Sequence, residues 1–457
     1  MATAVVSLLW DKHLPALDRF LAERPADVLL TPGAGATPLL RTIADRRGAE
    51  VVVLDQLVPL RRRQDIRIGE AVADLDAHLD TGDWLPGGLD PAAADRLREL
   101  VRRRVHEDLP APAAVLQGLV MARATYDLRL MVGSEDLLPA SKVAFAWARA
   151  RRLPSLHLAH SLALVDPYTV HAHLMADVLA VYGERGAEGY LDLGIAPDRI
   201  VATGNPAWDG YAELRRDKEA IRRSLREKHG LDPDLPLVVF GTTSSGRLTA
   251  LDTGNAHEDT LRAFLRACEQ LAARGVRLSA VVKDRPSNSE KGREAVEPLT
   301  AADSALELRY TSEDTQEWAA AADVLVAVDS NYLVEGMLAR TPGVNLAGVA
   351  LRAGPPAFDA GSGIVEAGPD DLADRIQELL EDPALRAARL ARAEESLDRY
   401  HAGGVDGRAT ERVAGLMTRL VDGPGTPAPA PPPSRQSVRE RLHHAVDVVV
   451  GHRGKQR

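Results

Sequence analysis

The sequence predicts an α/β protein of two doubly wound parallel-sheet domains that face each other across a cleft. Three observations carry this. Short apolar runs alternate with helix-patterned stretches along most of the chain, which is the β-α-β rhythm of parallel sheets. The rhythm stops after residue 206, passes through a charged helical stretch at 211–229, and restarts at 235. Polar and hydroxyl-rich residues gather just after the apolar runs, where the strands of an open sheet end and ligands bind. A length of 457 residues leaves room for two domains of ordinary size.

In the first domain, 1–210, the runs ADVLLTPG (26–33), AEVVVLD (49–55), LRLMVGSED (128–136), PSLHLAHS (154–161), ADVLAVYG (176–183) and DRIVATGNP (198–206) read as strands. Helices are expected at 37–47 and 139–151. The helix-rich, charged segment 57–127 reads as an insertion, and its arginines at 61–63 and 102–104 as a solvated face. In the second domain, 211–421, strands are expected at 235–246, 277–286, 305–310, 323–328 and 343–346. Helices at 257–274 and 314–321 fall between them, and helices at 370–397 and 408–420 close that sheet. Residues 422–434 form a Pro-rich linker. The tail 435–457 carries Val438, Leu442, Ala445, Val446, Val449 and Val450 on one helical face with basic flanks, so it is either a weak membrane-surface or partner helix or a frayed end.

Composition narrows the function classes. A net charge of −10 and 4% aromatic residues argue against a nucleic-acid partner. Cys268 is the only cysteine, so a disulfide within the chain and a thiolate metal site are both excluded. The start, MATAVVSLLWDKHLP, has no basic segment before a short apolar run, and no stretch reaches the ~20 apolar residues of a membrane span. The expected location is therefore cytoplasmic, with peripheral membrane contact through the tail as one option.

The stretch VLVAVDSNYLVEGMLARTP (324–342) is the most informative. An apolar strand ends in Asp329-Ser330-Asn331, and Ser330 suits the N-cap of the next helix. The free N–H groups there form a site for phosphate. Glu335 lies one turn in, where it either accepts hydrogen bonds from a ribose diol or points to solvent; spacing leaves both open. His160 ends a strand and can act as base, phosphate ligand or structural residue. Glu135 and Asp136 are the rival base. The loop GTTSSGR (241–247) offers Thr242, Thr243, Ser244 and Ser245, either as a phosphate cradle or as an ordinary turn. TPGAGATP (31–38) is the matching loop of the first domain. Asp74-Leu75-Asp76 is a D-x-D in a helical context and is read as chance.

These residues resemble a known superfamily. S-N-Y-L-V-E-G-M-L-A-R-T-P resembles the S-x-x-x-x-E-[AG]…P segment of GT-B glycosyltransferases and their relatives, among them UDP-sugar 2-epimerases, CDP-glycerol glycerophosphotransferases and capsule transferases. In the same order, RLPSLHLAHS (152–161), IVATGNPAWD (200–209), VVKDRPS (281–287) and VDGRATERV (405–413) resemble the capsule and glycerophosphotransferase branch. The resemblance covers roughly 128–420 and is weak before 128. It implies a GT-B-like fold and transfer of a sugar or polyol phosphate from a nucleotide-activated donor to a glycan or small-molecule acceptor, without a tightly bound metal or other cofactor. It implies nucleotide binding by Ser330, Asn331, Glu335, Lys283, Arg285 and the 242–245 loop. His160 would do acid/base or phosphate work, and Gly204, Asn205 and Pro206 would form the inter-domain turn. Arg285 and Ser161 depart from the branch, which has histidine and glycine there. A 2-epimerase-like isomerase and a non-catalytic binding module are the competing readings.

Overall fold

The first apolar run, TAVVSL, becomes an inner strand of a sheet. A computed structural model describes residues 1–58, 66–82, 85, 90–135, 138–162, 174–242, 256–285, 293–294, 307–348 and 356–423. In it, β1 (Thr3–Leu8), β2 (Val28–Thr31), β3 (Glu50–Val53), β4 (Asp127–Gly133), β5 (Ser155–Leu158), β6 (Val178–Val181) and β7 (Ile200–Ala202) form a seven-stranded sheet in the order β3-β2-β1-β4-β5-β6-β7. β8 (Leu237–Gly241), β9 (Ser279–Lys283), β10 (Glu307–Thr311), β11 (Val324–Ala327), β12 (Gly343–Leu346) and β13 (Val365–Ala367) form a six-stranded one in the order β10-β9-β8-β11-β12-β13. Every pairing is parallel. Helices cover both faces, which is why central strands such as LVVFG, SAVVK and VLVA are buried along their whole length. The order reverses between β1 and β4 and between β8 and β11. At these switch points successive crossovers leave to opposite faces and open a crevice.

Three expectations need correction. The helix Ala409–Asp422 does not close the second sheet. Its Val413, Ala414, Leu416 and Met417 pack with Val5, Leu17, Phe20 and Leu130 in the first domain's core. The return is possible because Gly403, Gly404 and Gly407 adopt positive φ, which side-chain-bearing residues resist, and reverse the chain after the helix Pro383–Tyr400. The segment 57–127 is not wholly an insertion either. The helix Pro110–Thr125 puts Val115, Leu119 and Ala122 into the core beside Leu54. There Gly118 is needed, since a Cβ would lie 2.8 Å from the Leu54 carbonyl oxygen. The expected helix at 370–397 is two, Leu372–Glu381 and Pro383–Tyr400, because Asp382 caps the second through the N–H groups of Ala384 and Leu385 and Pro383 opens it.

Asp76 meets Arg102 at 3.3 Å and His106 at 3.1 Å between the helices Ile66–Thr81 and Pro91–Asp108, so the D-x-D is an ordinary helical ion-pair site. The linker and the tail 435–457 lie, beyond Gly423, outside the described residues. No helix among the described residues is long and apolar enough to cross a membrane.

Candidate functional site

The first wall of the cleft is built on β1, the strand that carries no motif. After Leu8 the chain makes a single 3-10 turn, Asp11–His13, tied down from three sides. Ser134, fully buried just beyond β4, accepts the Trp10 N–H at 2.8 Å, and its Oγ lies 2.8 Å from His13 Nδ1. The hydroxyl keeps a proton and a second lone pair for His13 Nδ1, so the contact ties down either tautomer of the neutral imidazole. Burial holds its pKa well below the usual value, and neighbouring Lys12 adds to that. Thr37 Oγ1 donates to Asp11 at 2.7 Å, from the loop after β2. Lys12 Nζ donates to the His160 carbonyl oxygen at 2.8 Å, beyond β5. The Trp10 and His160 rings are 5.1 Å apart, with the Lys12 ammonium 5.4 Å from the Trp10 ring.

The second wall is organised by a residue the sequence reading passed over. Asp284, in the middle of V-V-K-D-R-P, is buried at the end of β9. It accepts the Thr242 hydroxyl, the Tyr310 hydroxyl at 2.9 Å and the Arg285 N–H at 2.7 Å, with His257 at 3.5 Å. Burial alone would raise its pKa, but these donors prevail and bring it down to about 2. Thr242 is thus turned inward onto Asp284 rather than toward a phosphate. Thr243, Ser244 and Ser245 lie outside the described residues. Lys283 donates to the carbonyl oxygens of Asp284 at 2.7 Å and Ser312 at 3.3 Å, and burial lowers its pKa. Arg285 extends from this hub with its side chain exposed.

At the β11 end, Ser330 caps the helix Asn331–Leu338 by accepting the Tyr332 N–H at 3.2 Å. Asp329 is held at a φ of 41° by Asn345, which accepts its N–H at 2.7 Å and donates to its carboxylate at 3.0 Å. Asn331 reaches across the cleft: its Oδ1 accepts the Leu162 N–H at 2.8 Å and its Nδ2 lies 3.4 Å from the His160 carbonyl oxygen. Glu335 is largely buried, not on solvent. Its Oε2 accepts the Tyr211 hydroxyl at 2.6 Å, and the Trp208 indole is a further donor. Burial pushes its pKa up to about 7 against the pull of Tyr211, Lys12 and Lys283. Lys12 feels the reciprocal field: burial brings it down to about 8, while Glu335 draws it back up and Arg285 pushes it lower.

The fold therefore brings Lys12, His160, Asn331, Glu335, Lys283 and Arg285 to one place, from four separate strand ends. Glu135 is not among them. Its buried carboxylate accepts the Leu138 N–H at 2.9 Å and the Ser141 hydroxyl at 2.6 Å, capping the helix Pro139–Ala150. Asp136 lies outside the described residues. Gly204, Asn205 and Pro206 belong to a latch. Gly204 has a φ of 78° and a Cβ there would sit 2.9 Å from His401 Nε2; the Asn205 N–H donates to that nitrogen at 2.9 Å. Asp209 then accepts the N–H groups of Ala409 and Thr410 at 2.8 and 2.9 Å, and Arg412 donates to the Thr203 carbonyl oxygen at 2.7 Å. Two of the sequence motifs are thus halves of one structural joint.

The architecture has solved counterparts. A UDP-GlcNAc 2-epimerase from Neisseria meningitidis bound to UDP-GlcNAc superposes with a TM-score of 0.56 at 10% identity, over 91% of this chain and 100% of that one. The chain has a GT-B fold. Two further structures with that fold are similar. MnaA from S. aureus, in complex with UDP, gives a TM-score of 0.52 at 12% identity over 93% of this chain and 99% of that one. The wall teichoic acid polymerase TagF, soaked with CDPG, gives 0.50 at 10% identity over 92% and 88%. No protein-family model and no curated protein matches the sequence.

Proposed function

We propose that this GT-B chain is a glycosyltransferase-like enzyme that moves a sugar, or a related polyol phosphate, from a nucleotide-activated donor to an acceptor in surface-polysaccharide or specialised glycan synthesis. One observation carries the reading: Lys12, Lys283 and Arg285 converge with Glu335 where the two switch points face each other. Against these cations stand the carboxylates of Glu335 and Asp284, and the excess of cations suits an anionic leaving diphosphate, whose charge develops as the bond to the sugar breaks. The solved structures of this fold hold UDP-GlcNAc, UDP and CDPG, which is the same ligand chemistry.

In this reading Lys12 and Arg285 hold the diphosphate from opposite walls, and the N-terminus of the helix capped by Ser330 adds backbone donors. Glu335 takes the ribose diol. Its carboxylate has about four acceptor sites, so Tyr211 and Trp208 orient it without filling it. His160 accepts the proton of the acceptor hydroxyl. Asn331 binds the chain beside His160 and so positions that loop rather than the phosphates. Because the chain supplies the countercharge, donor binding is expected without a metal.

The test is thermal stability of wild type, Glu335→Ala and Glu335→Gln with UDP, dTDP, GDP, CDP, CMP and their sugar conjugates, with and without Mg²⁺. A ligand at 100 Kd adds about 2.7 kcal/mol. Stabilisation of wild type by one nucleotide, lost in Glu335→Ala, is expected; no stabilisation by any would overturn the reading and leave a non-catalytic GT-B module. A second reading, a 2-epimerase-like isomerase, draws on Glu335 and Lys12, two groups with pKa values near neutrality in one cleft. Incorporation of deuterium at C2 of a bound UDP-sugar in D₂O, with no acceptor present, would select it.

A further inference from the structure

The two domains meet at a joint assembled from distant stretches of the chain, and His401 stands inside it. His401 follows the helix Pro383–Tyr400 and is 2% exposed. Each of its ring nitrogens is held by a backbone group that has only one role. The Gly404 carbonyl oxygen, 2.7 Å from Nδ1, can only accept, so Nδ1 carries a proton. The Asn205 N–H, 2.9 Å from Nε2, can only donate, so Nε2 carries none. Geometry therefore fixes His401 as the neutral Nδ1–H tautomer. Through Nε2 it fastens the turn by which the chain leaves the first domain after β7. Through Nδ1 it fastens the turn by which the chain returns to that domain before the helix Ala409–Asp422.

Both turns close around this ring. The Tyr182 carbonyl oxygen, at the end of β6, accepts the N–H groups of Ala402 at 2.7 Å and Gly204 at 3.0 Å. A Cβ on Gly204 would lie 2.9 Å from Nε2, so the outgoing turn sits directly against the imidazole. The Trp208 ring lies 5.4 Å from it. The charged neighbours already have partners. Arg412 donates to the carbonyl oxygens of Thr203 and Ala402 and to the Asp406 carboxylate. Asp406 also accepts the Arg408 N–H at 2.9 Å, and Asp209 accepts the N–H groups of Ala409 and Thr410. Burial holds the His401 pKa below the ordinary histidine value. The Arg412 guanidinium adds to this, while Asp209 and Asp406 pull against it.

We propose that this joint is an acid-released latch: a proton taken from solvent at His401 Nε2 turns that nitrogen from acceptor to donor, sets N–H against N–H and breaks the bond to Asn205, so that the returning turn lets go of the outgoing one and the angle between the two domains is no longer fixed. Trp208 links the latch to the cleft, because its ring lies beside His401 and its indole is a donor to Glu335. The inference does not depend on what the cleft binds. Its sign follows from the two states. The folded pKa lies below the unfolded one, about 6.5, so between these values the released state holds the extra proton. The latch is complete above pH ~6.5 and is lost as pH falls below it. Glu335 titrates with the opposite sign in an overlapping range, so the latch has to be read locally and not from global stability.

Hydrogen–deuterium exchange of the full chain, followed peptide by peptide and corrected for the intrinsic pH dependence of exchange, tests this in wild type and His401→Gln. Between pH ~7.5 and ~5.5, protection of 203–208 and 401–412 should fall about tenfold in wild type, roughly 1.4 kcal/mol. The strand peptides 128–133 and 237–241 should keep theirs. In His401→Gln, protection of the joint should stay constant with pH to within about twofold, whatever its level. Joint protection that is flat in wild type, that falls equally in His401→Gln, or that falls together with the strands overturns the proposal. Spectra of wild type labelled with ¹⁵N-histidine give a second reading that does not require the variant to fold. A neutral Nδ1–H imidazole is expected at the higher pH, and it should gain its second proton where joint protection is lost. An Nδ1–H imidazole that stays neutral through that loss, or one that charges while protection holds, overturns the latch.

Discussion

The two carboxyl edges that face each other come from nearly the same construction, a parallel sheet with one reversal of strand order, seven strands in one case and six in the other. Their loops are organised differently. On the first edge a buried serine and a neutral histidine, Ser134 and His13, fasten a short turn that presents one ammonium and one indole beside His160. On the second a buried carboxylate, Asp284, collects four donors and sets out lysine and arginine around itself. A low-dielectric hub rewards ionised groups only where each has its partners, as Asp284 has; the first edge avoids that cost by using neutral groups. The scaffold thus supplies a place for ligands, and the chemistry of each wall is a property of its loops.

The largest expected effect breaks or upholds the idea that both walls grip the donor. Lys12→Ala should weaken nucleoside diphosphate binding by about 100-fold, roughly 2–3 kcal/mol for a charge-assisted contact, as should Arg285→Ala. Calorimetry showing loss only in Arg285→Ala would assign the donor to the second wall alone. Next is the buried acid between them. The folded Glu335 carboxyl titrates near 7, above its unfolded value, so between pH ~4.5 and 7 the native state holds the extra proton and stability falls as pH rises. Relative to Glu335→Gln, wild type should lose on the order of 2–3 kcal/mol across that window in urea denaturation; a flat difference would mean the carboxylate is fully compensated. A smaller effect concerns Lys12, whose pKa near 8 implies that diphosphate affinity drops as pH passes from 7 to 9. About tenfold is expected in wild type, and none in Lys12→Arg. The smallest concerns the joint between the domains. Asp209→Ala removes the cap of the helix Ala409–Asp422 and should cost about 1 kcal/mol, read from urea midpoints. A larger loss with a second transition would show that this helix, which belongs to the second half of the chain, holds the first domain together.

Much of the fold was legible because parallel strands write themselves as apolar runs. Of the thirteen strands among the described residues, β1 and β13 have no counterpart among the runs that the sequence marks as strands. β13 is three residues long with one exposed member, too short for a periodic signal. β1 reads as an apolar run too short for a secretory signal, and the loop after it carries no motif, so Lys12, Trp10 and His13 escape a sequence reading. Their one cue is a lysine two residues past an apolar run in a chain of few lysines. Ser330 as a cap was legible, since capping is local chemistry. Glu135, Thr242 and Asn331 were misjudged as free polar groups because what occupies them, a helix start, Asp284 and the backbone beside His160, comes from elsewhere in the fold.

The sequence by itself determined the class of architecture and the location of its loops, since hydrophobic period, turn residues and caps act over a few positions. Only the tertiary structure decided which polar groups face one another. It set Glu335 against Tyr211 and Lys12, joined Asp209 to the helix of Ala409, and held Trp10 and Lys12 beside His160. Those relations depend on strand order and on burial, and strand order is a long-range outcome of packing that no local spacing records.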